Sequence, residues 1–128
     1  MSSPEIPPRP SRQSFLKSVR NACAGILTAL RSERNFRIQL VIAIVVLLAG
    51  WWFEVSHWEW AVLVVAIGMV LTAELFNTAI EAVVDLASPE IHPLAQRAKD
   101  VAAGATLIAA ITAAVLGLIV FLPHLSAH

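Results

Sequence analysis

The chain has 128 residues, of which 58% are hydrophobic and only 14% are charged, with a net charge of zero. A mean hydropathy of +0.74 is too high for an ordinary soluble domain, so the composition indicates a membrane protein. The length allows one domain and excludes a separate soluble catalytic module, and we expect no nucleic-acid partner.

The N-terminal part of the chain changes character near residue 14. Residues 1–12 contain four prolines, and we predict that they are disordered. In residues 14–34, apolar side chains such as Phe15, Val19 and Ile26 recur at helical spacing, with cations off that stripe. This pattern predicts an amphipathic helix on an anionic membrane surface, and a helix packed on the rest of the bundle is the alternative.

Three apolar stretches follow, each near the roughly 20 residues that a helix needs to cross a bilayer. We predict transmembrane spans at about residues 37–53, 59–86 and 98–122. The first span ends in Trp51 and Trp52, and tryptophan is typical of the membrane–water boundary. The predicted fold class is therefore an all-α membrane protein with one surface helix and three transmembrane helices.

Turn signals separate these spans. An acidic turn is expected over residues 54–59, and a turn containing two prolines is expected over residues 87–93. Pro123 is expected to end the third span, because proline interrupts the hydrogen bonding of a helix. The predicted organisation is one three-span domain, residues 13–123, and a short tail, residues 124–128.

The cations predict the orientation of the chain. All nine Lys and Arg side chains lie before or at the start of the first span, or between the second and third spans and at the start of the third. The positive-inside rule therefore places the N-terminus and the loop over residues 87–99 in the cytoplasm. The polar end of the second span then faces the compartment that holds ATP.

That polar end carries the most informative pattern in the sequence. At 100° per residue, Asn77, Glu81 and Asp85 lie at about 300°, 340° and 20° from Glu74, on one helix face. A charged group within a bilayer costs a few kcal/mol or more, so such residues are read as functional by default. The alternative is that the carboxyls pair with cations or Asn77 and only hold helices together.

The spacing of these carboxyls suggests two roles. Mg²⁺ prefers oxygen ligands and commonly keeps substrate phosphates among them, which suits Glu81. Glu74 lies about 10 Å deeper along the helix, too far to share a single metal ion with Glu81. A carboxylate withdrawn from water binds a proton more readily, so Glu74 suits a general base.

Two further clusters are candidates for binding phosphate. Lys99 and Asp100 lie at the start of the third span, where they either hold a phosphate and position a metal ion or form an ordinary helix end. Glu33 lies among three arginines, which either form a solvated junction or hold phosphate while Glu33 joins the metal ion. His92 has no His or Cys partner at metal-ligand spacing, so no transition-metal site is expected.

These segments together resemble one family. Residues 74–85, ELFNTAIEAVVD, closely resemble the core motif of the bacterial integral-membrane diacylglycerol kinase and undecaprenol kinase family. Residues 97–100 and 103–105 resemble its second motif, and residues 33–37 resemble its N-terminal motif. The resemblance extends over about residues 15–122, nearly the whole chain.

The resemblance implies a multi-pass protein of the bacterial cytoplasmic (inner) membrane, assembled as a homotrimer with active sites shared between neighbouring protomers. It implies ATP as phosphoryl donor, Mg²⁺ as cofactor and a membrane lipid as acceptor. Glu74 is then the catalytic base beside the lipid hydroxyl, and Glu33 and Glu81 hold Mg²⁺. The residues implied in nucleotide and cofactor binding are Glu33, Asn77, Glu81, Glu90, His92, Lys99 and Asp100. Those implied at the lipid substrate are Asn35, Arg37, Glu74 and Ala103.

The lipid substrate is the least determined part of the sequence interpretation. Ser14 and Asn21 differ from the arginine and tyrosine of the diacylglycerol-specific branch, and residues 89–95 and 33–35 are more similar to the undecaprenol kinase branch. We therefore expect phosphorylation of undecaprenol, with diacylglycerol as the alternative. An oligomeric ion pathway and a membrane scaffold are non-enzymatic alternatives. The ion pathway lacks support, because the first and third spans carry no polar face that could line it.

Overall fold

The computed structural model describes residues 3–8 and 14–127. Four α-helices occupy this part of the chain: α1, Ser14–Ser32; α2, Arg34–Trp52; α3, His57–Ala87; and α4, Pro93–Ala127. The described residues contain no strand, which confirms the predicted all-α class. Residues 3–8 have no regular secondary structure, and the rest of the segment predicted to be disordered lies outside the described residues.

Three of the helices have the length and composition of membrane spans. Helices α2, α3 and α4 contain 19, 31 and 35 residues, and each is apolar enough to cross a bilayer. At 1.5 Å per residue, α3 and α4 are about 46 Å and 52 Å long, against a hydrocarbon core of about 30 Å. The ends of α3 and α4 therefore extend beyond the apolar layer that their central parts can cross.

Helix α1 is joined to α2 by a single residue. It ends at Ser32, two residues before the predicted boundary, and Glu33 is the only residue between the two helices. Ala29 is the one buried residue of α1, whereas Phe15, Val19 and Ile26 are exposed. The apolar stripe of α1 is therefore left uncovered by the described part of the chain.

The connection between α2 and α3 is a short, fully hydrogen-bonded turn. The N–H of Val55 donates to the carbonyl of Gly50, and that of Glu54 donates to Trp51, both at 3.2 Å. Glu54 has a φ of 51°, so α2 ends in a Schellman motif without the usual glycine. Ser56 and Glu59 then form a reciprocal capping box, which starts α3 at His57, inside the predicted turn.

Helix α3 is the centre of the bundle, because it contacts each of the other three helices and packs most extensively against α4. A cluster of buried apolar side chains at the end of the bundle nearest the α2–α3 turn contains Val55, Leu63 and Val120. Beside this cluster α2 and α3 approach closely at Gly50, which is buried against the ring of Trp60. Apolar side chains therefore pack closely at this end of the bundle, and the polar residues of α3 lie at the other end.

The prediction that Pro123 ends the third span was wrong. Helix α4 continues through Pro123 to Ala127, so most of the predicted tail is helical. His124 lies beyond the proline, and its Nε2 is 2.9 Å from Oε2 of Glu59 on α3. The ring of His124 also lies near Phe53. These tertiary contacts hold the last turn in place and offset the backbone hydrogen bond that proline removes.

The approach of α2 to α3 can be tested by substituting glycines. A Cβ atom at Gly50 would lie 2.7 Å from the Trp60 ring, so in Gly50→Ala either that ring or the two helices must shift. We expect Gly50→Ala to destabilise the protein by about 1–3 kcal/mol, the usual cost of overpacking. Thermal melting in detergent, followed by circular dichroism, measures this effect.

Gly68→Ala is the matched control. Nothing lies within 4 Å of a Cβ at Gly68, so the substitution should leave the melting temperature unchanged or raise it slightly through better helix propensity. Equal melting temperatures for the two variants would contradict the close approach at Gly50.

Candidate active site

The polar residues of α3 form a column that becomes more exposed toward the end of the helix. Glu74 is buried, with 8% of its surface exposed, and it is the only buried charged residue among those described. Asn77 and Glu81 are half-buried, and Asp85 is exposed. Successive spacings of three, four and four residues keep these four side chains on one face, because an α-helix has 3.6 residues per turn. The column therefore leads from the bundle interior to the α3–α4 turn.

Glu33 reaches this column from a different part of the chain. It lies half-buried at the α1–α2 junction, and its negative charge acts on the carboxyl of Glu74. Glu81, two turns along α3, acts on Glu74 in the same way. Glu33 and Glu81, which the resemblance also singles out, therefore both lie within electrostatic range of Glu74.

Asn77 lies between Glu74 and Glu81 on the column and has a buried oxygen without a partner. Its Oδ1 is inaccessible to solvent and accepts no hydrogen bond from the described part of the chain. Buried polar atoms are normally paired, since an unpaired acceptor costs about 1–3 kcal/mol. An oxygen of this kind fits a hydroxyl donor or a hard cation among the carboxylates.

The described residues contain no group of three or more His, Cys, Asp or Glu side chains placed to hold a metal ion. Magnesium is commonly held by one or two carboxylates together with substrate phosphates and waters. Glu33 and Glu81 can supply such a pair of carboxylates.

A polar cavity of about 150 Å³ lies at the α3–α4 turn. Three of the residues expected at the nucleotide, Glu90, His92 and Lys99, line this cavity, and so does Asp85. Asp100 is exposed on α4 and accepts a hydrogen bond from Nε2 of Gln96 at 2.8 Å. The turn thus gathers residues that are up to 14 positions apart in sequence.

Lys99 is held in this cavity by a partner that the sequence interpretation did not identify. Its Nζ is 2.6 Å from Oδ1 of Asp85. The pair forms because α3 and α4 run in opposite directions from a short turn, which brings the last turn of α3 beside the second turn of α4. An ammonium group has three donors, so one bond to Asp85 leaves others for a phosphate.

His92 immediately precedes α4, and its ring accepts a hydrogen bond from the first turn of that helix. Its Nδ1 accepts a hydrogen bond from the backbone N–H of Leu94 at 3.1 Å, and its carbonyl accepts from the N–H of Gln96. With Nδ1 acting as acceptor, a neutral imidazole carries its proton on Nε2. His92 therefore presents a hydrogen-bond donor at the cavity.

Apart from Glu74, the residues expected at the lipid substrate lie outside the buried column. Asn35 and Arg37 are exposed on the first turn of α2, and Ala103 is exposed on α4, one turn beyond Lys99. Arg37 has a contact that the sequence did not reveal. Its Nη1 donates to the carbonyls of Leu30 and Arg31, at 3.1 and 3.0 Å. This contact ties α2 to the end of α1.

The fold and the site together define a class: an integral membrane protein with a carboxyl-rich site at one end of an apolar bundle of three long helices. The chain belongs to the prokaryotic diacylglycerol kinase family, which it matches over residues 20–121. It is therefore a lipid kinase, as the resemblance implied, and the family implies ATP as donor and a lipid as acceptor. Membership of a kinase family decides against the ion-pathway and scaffold alternatives.

Individual relatives carry two different names. The chain is 44% identical to an undecaprenol kinase of Bacillus subtilis over 111 residues, covering 87% of this chain and 90% of the relative. It is 42% identical to a diacylglycerol kinase of Synechocystis over 113 residues, covering 88% and 65%. It is 32% identical to a diacylglycerol kinase of Escherichia coli over 110 residues, covering 86% and 90%. The family is thus shown, and the lipid is not settled by these names.

The ion pair of Asp85 and Lys99 allows the role of the cavity in ATP binding to be tested. Asp85→Asn removes the charge that holds the Lys99 ammonium, so we expect the KM for ATP to rise severalfold. The melting temperature should change little, because ion pairs exposed to solvent contribute little to stability. Steady-state kinetics and thermal melting measure the two effects.

Glu5→Gln, which removes an exposed carboxylate from the N-terminal segment, is the control. It should leave both quantities unchanged. An unaltered KM for ATP in Asp85→Asn would show that Asp85 does not place Lys99 for the nucleotide.

Proposed function

We propose that this kinase phosphorylates undecaprenol to undecaprenyl phosphate, with ATP as phosphoryl donor and Mg²⁺ as cofactor. The observation that carries the proposal is the buried carboxyl of Glu74, within electrostatic range of Glu33 and Glu81, in a chain of a lipid kinase family. The choice of undecaprenol is supported by the relative of that name in Bacillus subtilis. It is also supported by the similarity of residues 89–95 and 33–35 to the undecaprenol kinase branch.

In the proposed mechanism, the lipid hydroxyl approaches Glu74 from the apolar part of the bundle. The carboxylate of Glu74 accepts the hydroxyl proton as the lipid oxygen forms a bond to the γ-phosphorus of ATP. The bond from that phosphorus to the bridging oxygen breaks in line, and ADP leaves. Burial of Glu74 excludes water, which would otherwise compete with the lipid as acceptor.

The remaining polar residues position the nucleotide. Glu33 and Glu81 would hold Mg²⁺, which supplies charge neutralisation for the transferring phosphoryl group. Lys99 and Asp100 contact the phosphates, and Asn77 offers its unpaired Oδ1 beside them. Glu90 and His92 contact the nucleotide from the cavity at the α3–α4 turn.

The proposed membrane arrangement places the site at the inner face of the bacterial cytoplasmic (inner) membrane, with the N-terminus in the cytoplasm. This orientation is supported by the positions of the nine cations. The uncovered apolar stripe of α1 then lies on the membrane surface, and Asn35, Arg37 and Ala103 face the lipid. The exposed apolar surfaces of α2 and α4 leave room for the homotrimer with shared active sites that the family resemblance implies.

Diacylglycerol, converted to phosphatidic acid, is the second candidate acceptor. It is supported by the names of the relatives in Synechocystis and Escherichia coli. The carboxyl column does not distinguish the two lipids, because either one presents a single hydroxyl group to Glu74.

Thin-layer chromatography of labelled products decides between these acceptors. Purified protein in mixed micelles is given labelled ATP, Mg²⁺ and either undecaprenol or diacylglycerol. We expect undecaprenyl phosphate as the preferred product, with a higher kcat/KM than for diacylglycerol. A preference for diacylglycerol would replace the proposed substrate, and the absence of any labelled lipid would overturn the proposal as a whole.

Glu74→Gln tests the proposed base. The amide has nearly the same shape but cannot accept the hydroxyl proton, so we expect turnover to fall by about 10²–10⁴-fold. ATP binding, measured with a fluorescent analogue, should remain close to that of the wild type, because Glu74 does not contact the nucleotide.

Glu54→Gln makes the same chemical change in the turn at the opposite end of the bundle, and it should retain full turnover. Near-normal activity in Glu74→Gln would remove Glu74 from the role of base.

A further inference from the structure

The junction between α1 and α2 places Glu33 very tightly. Its backbone N–H donates to the carbonyl of Ala29 on α1 at 2.8 Å, and its own carbonyl accepts from the N–H of Arg37 on α2 at 3.2 Å. Glu33 has extended backbone angles, φ −108° and ψ 111°, between two helices. The direction of the Glu33 side chain therefore depends on the angle at which α1 meets α2.

Arg37 sets that angle through its side chain. A helix ends with carbonyls that have no partner within the helix, and in α1 these belong to residues 29–32. The N–H of Glu33 takes the first, and Nη1 of Arg37 takes those of Leu30 and Arg31. The positive charge of Arg37 also lies at the negative end of the α1 dipole, where a cation is stabilising.

Arg37 thus binds both sides of the junction, since its backbone N–H holds Glu33 and its guanidinium holds α1. Glu33 has no side-chain capping hydrogen bond at the start of α2, so nothing else in the capping geometry fixes its carboxylate. That carboxylate is close enough to Glu74 for their charges to interact. A change of the α1–α2 angle would therefore move a charge of the proposed site.

We infer that Arg37 is the positioning residue for Glu33, and that it acts by capping the end of α1. This inference rests on the proposed function, in which Glu33 is a ligand of Mg²⁺. Nη1 alone makes the two bonds to α1, and the other guanidinium donors bond to nothing else in the described part of the chain. Arg37 can therefore hold the junction and still face the lipid.

The test compares Arg37→Gln and Arg37→Lys with Arg20→Gln, which removes an exposed cation in the middle of α1. The first readout is the Mg²⁺ concentration that gives half-maximal activity. We expect Arg37→Gln to raise it about tenfold, as for the loss of a charge-assisted hydrogen bond. Arg37→Lys should recover part of this loss because an ammonium group can also cap carbonyls. Arg20→Gln should match the wild type.

The second readout is a distance that does not depend on activity. Cys23 is the single cysteine, is exposed on α1 and accepts a spin label, and Leu86→Cys provides a second exposed site on α3. Labelled protein is mixed with an excess of unlabelled protein, so that only distances within one chain are measured. We expect Arg37→Gln to broaden or shift the distance distribution, whereas Arg20→Gln leaves it unchanged.

Two outcomes separate this inference from the proposed function. If Arg37→Gln raises only the KM for the lipid, with the Mg²⁺ dependence and the distances unchanged, Arg37 acts directly on the lipid and the positioning role is overturned. If the wild-type protein phosphorylates no lipid, the proposed function fails. The spin-label distances then support or overturn the capping role of Arg37 by themselves.

Discussion

The rest of the structure depends on one constraint: the carboxyl group of Glu74, on an apolar helix, is withdrawn from water. Glu74 is buried, and the charges of two further glutamates act on it. No Lys or Arg in residues 14–127 forms an ion pair with Glu74. Burying one carboxylate near two others without a cation is expensive, so a bound cation would stabilise this arrangement. The same constraint makes the site suitable for a metal-bound polyphosphate.

The lengths of α3 and α4 reconcile this polar site with the membrane. Both helices are much longer than the hydrocarbon core is thick, and in the proposed arrangement their joined ends project beyond it. In the proposed membrane arrangement the column spans the boundary, with Glu74 on the apolar side and Asp85 toward water. A lipid hydroxyl and a water-soluble nucleotide can meet only at such a boundary. The opposite end, where Gly50 contacts Trp60 and Glu59 contacts His124, holds the helices together.

The sequence was sufficient for the features that depend on local periodicity. The shared face of Glu74, Asn77 and Glu81 follows from helix geometry, and the three membrane-length helices follow from the apolar runs. Features that depend on distant contacts could not be predicted in this way. The bonds of Arg37 to α1 and of Lys99 to Asp85 require the angles between helices, which composition does not encode. Pro123 was misjudged because a local rule was applied where contacts of His124 across the bundle decide the outcome.

The same distinction explains why the sequence motifs identify the family but do not identify the lipid substrate. The residues that match the family motifs are those proposed to act on the phosphoryl group, and that chemistry is common to every alcohol acceptor. Apolar chains are recognised by the hydrophobic effect, which has no directional preference and discriminates weakly. Diacylglycerol differs from a polyprenol by ester carbonyls beside its hydroxyl, and those carbonyls need hydrogen-bond donors in the site. Strong discrimination arises where such donors are left unpaired by the wrong substrate. We therefore expect the preference between the two lipids to lie in the exposed polar residues near the junction, Asn35 and the free donors of Arg37, rather than in the carboxyl column.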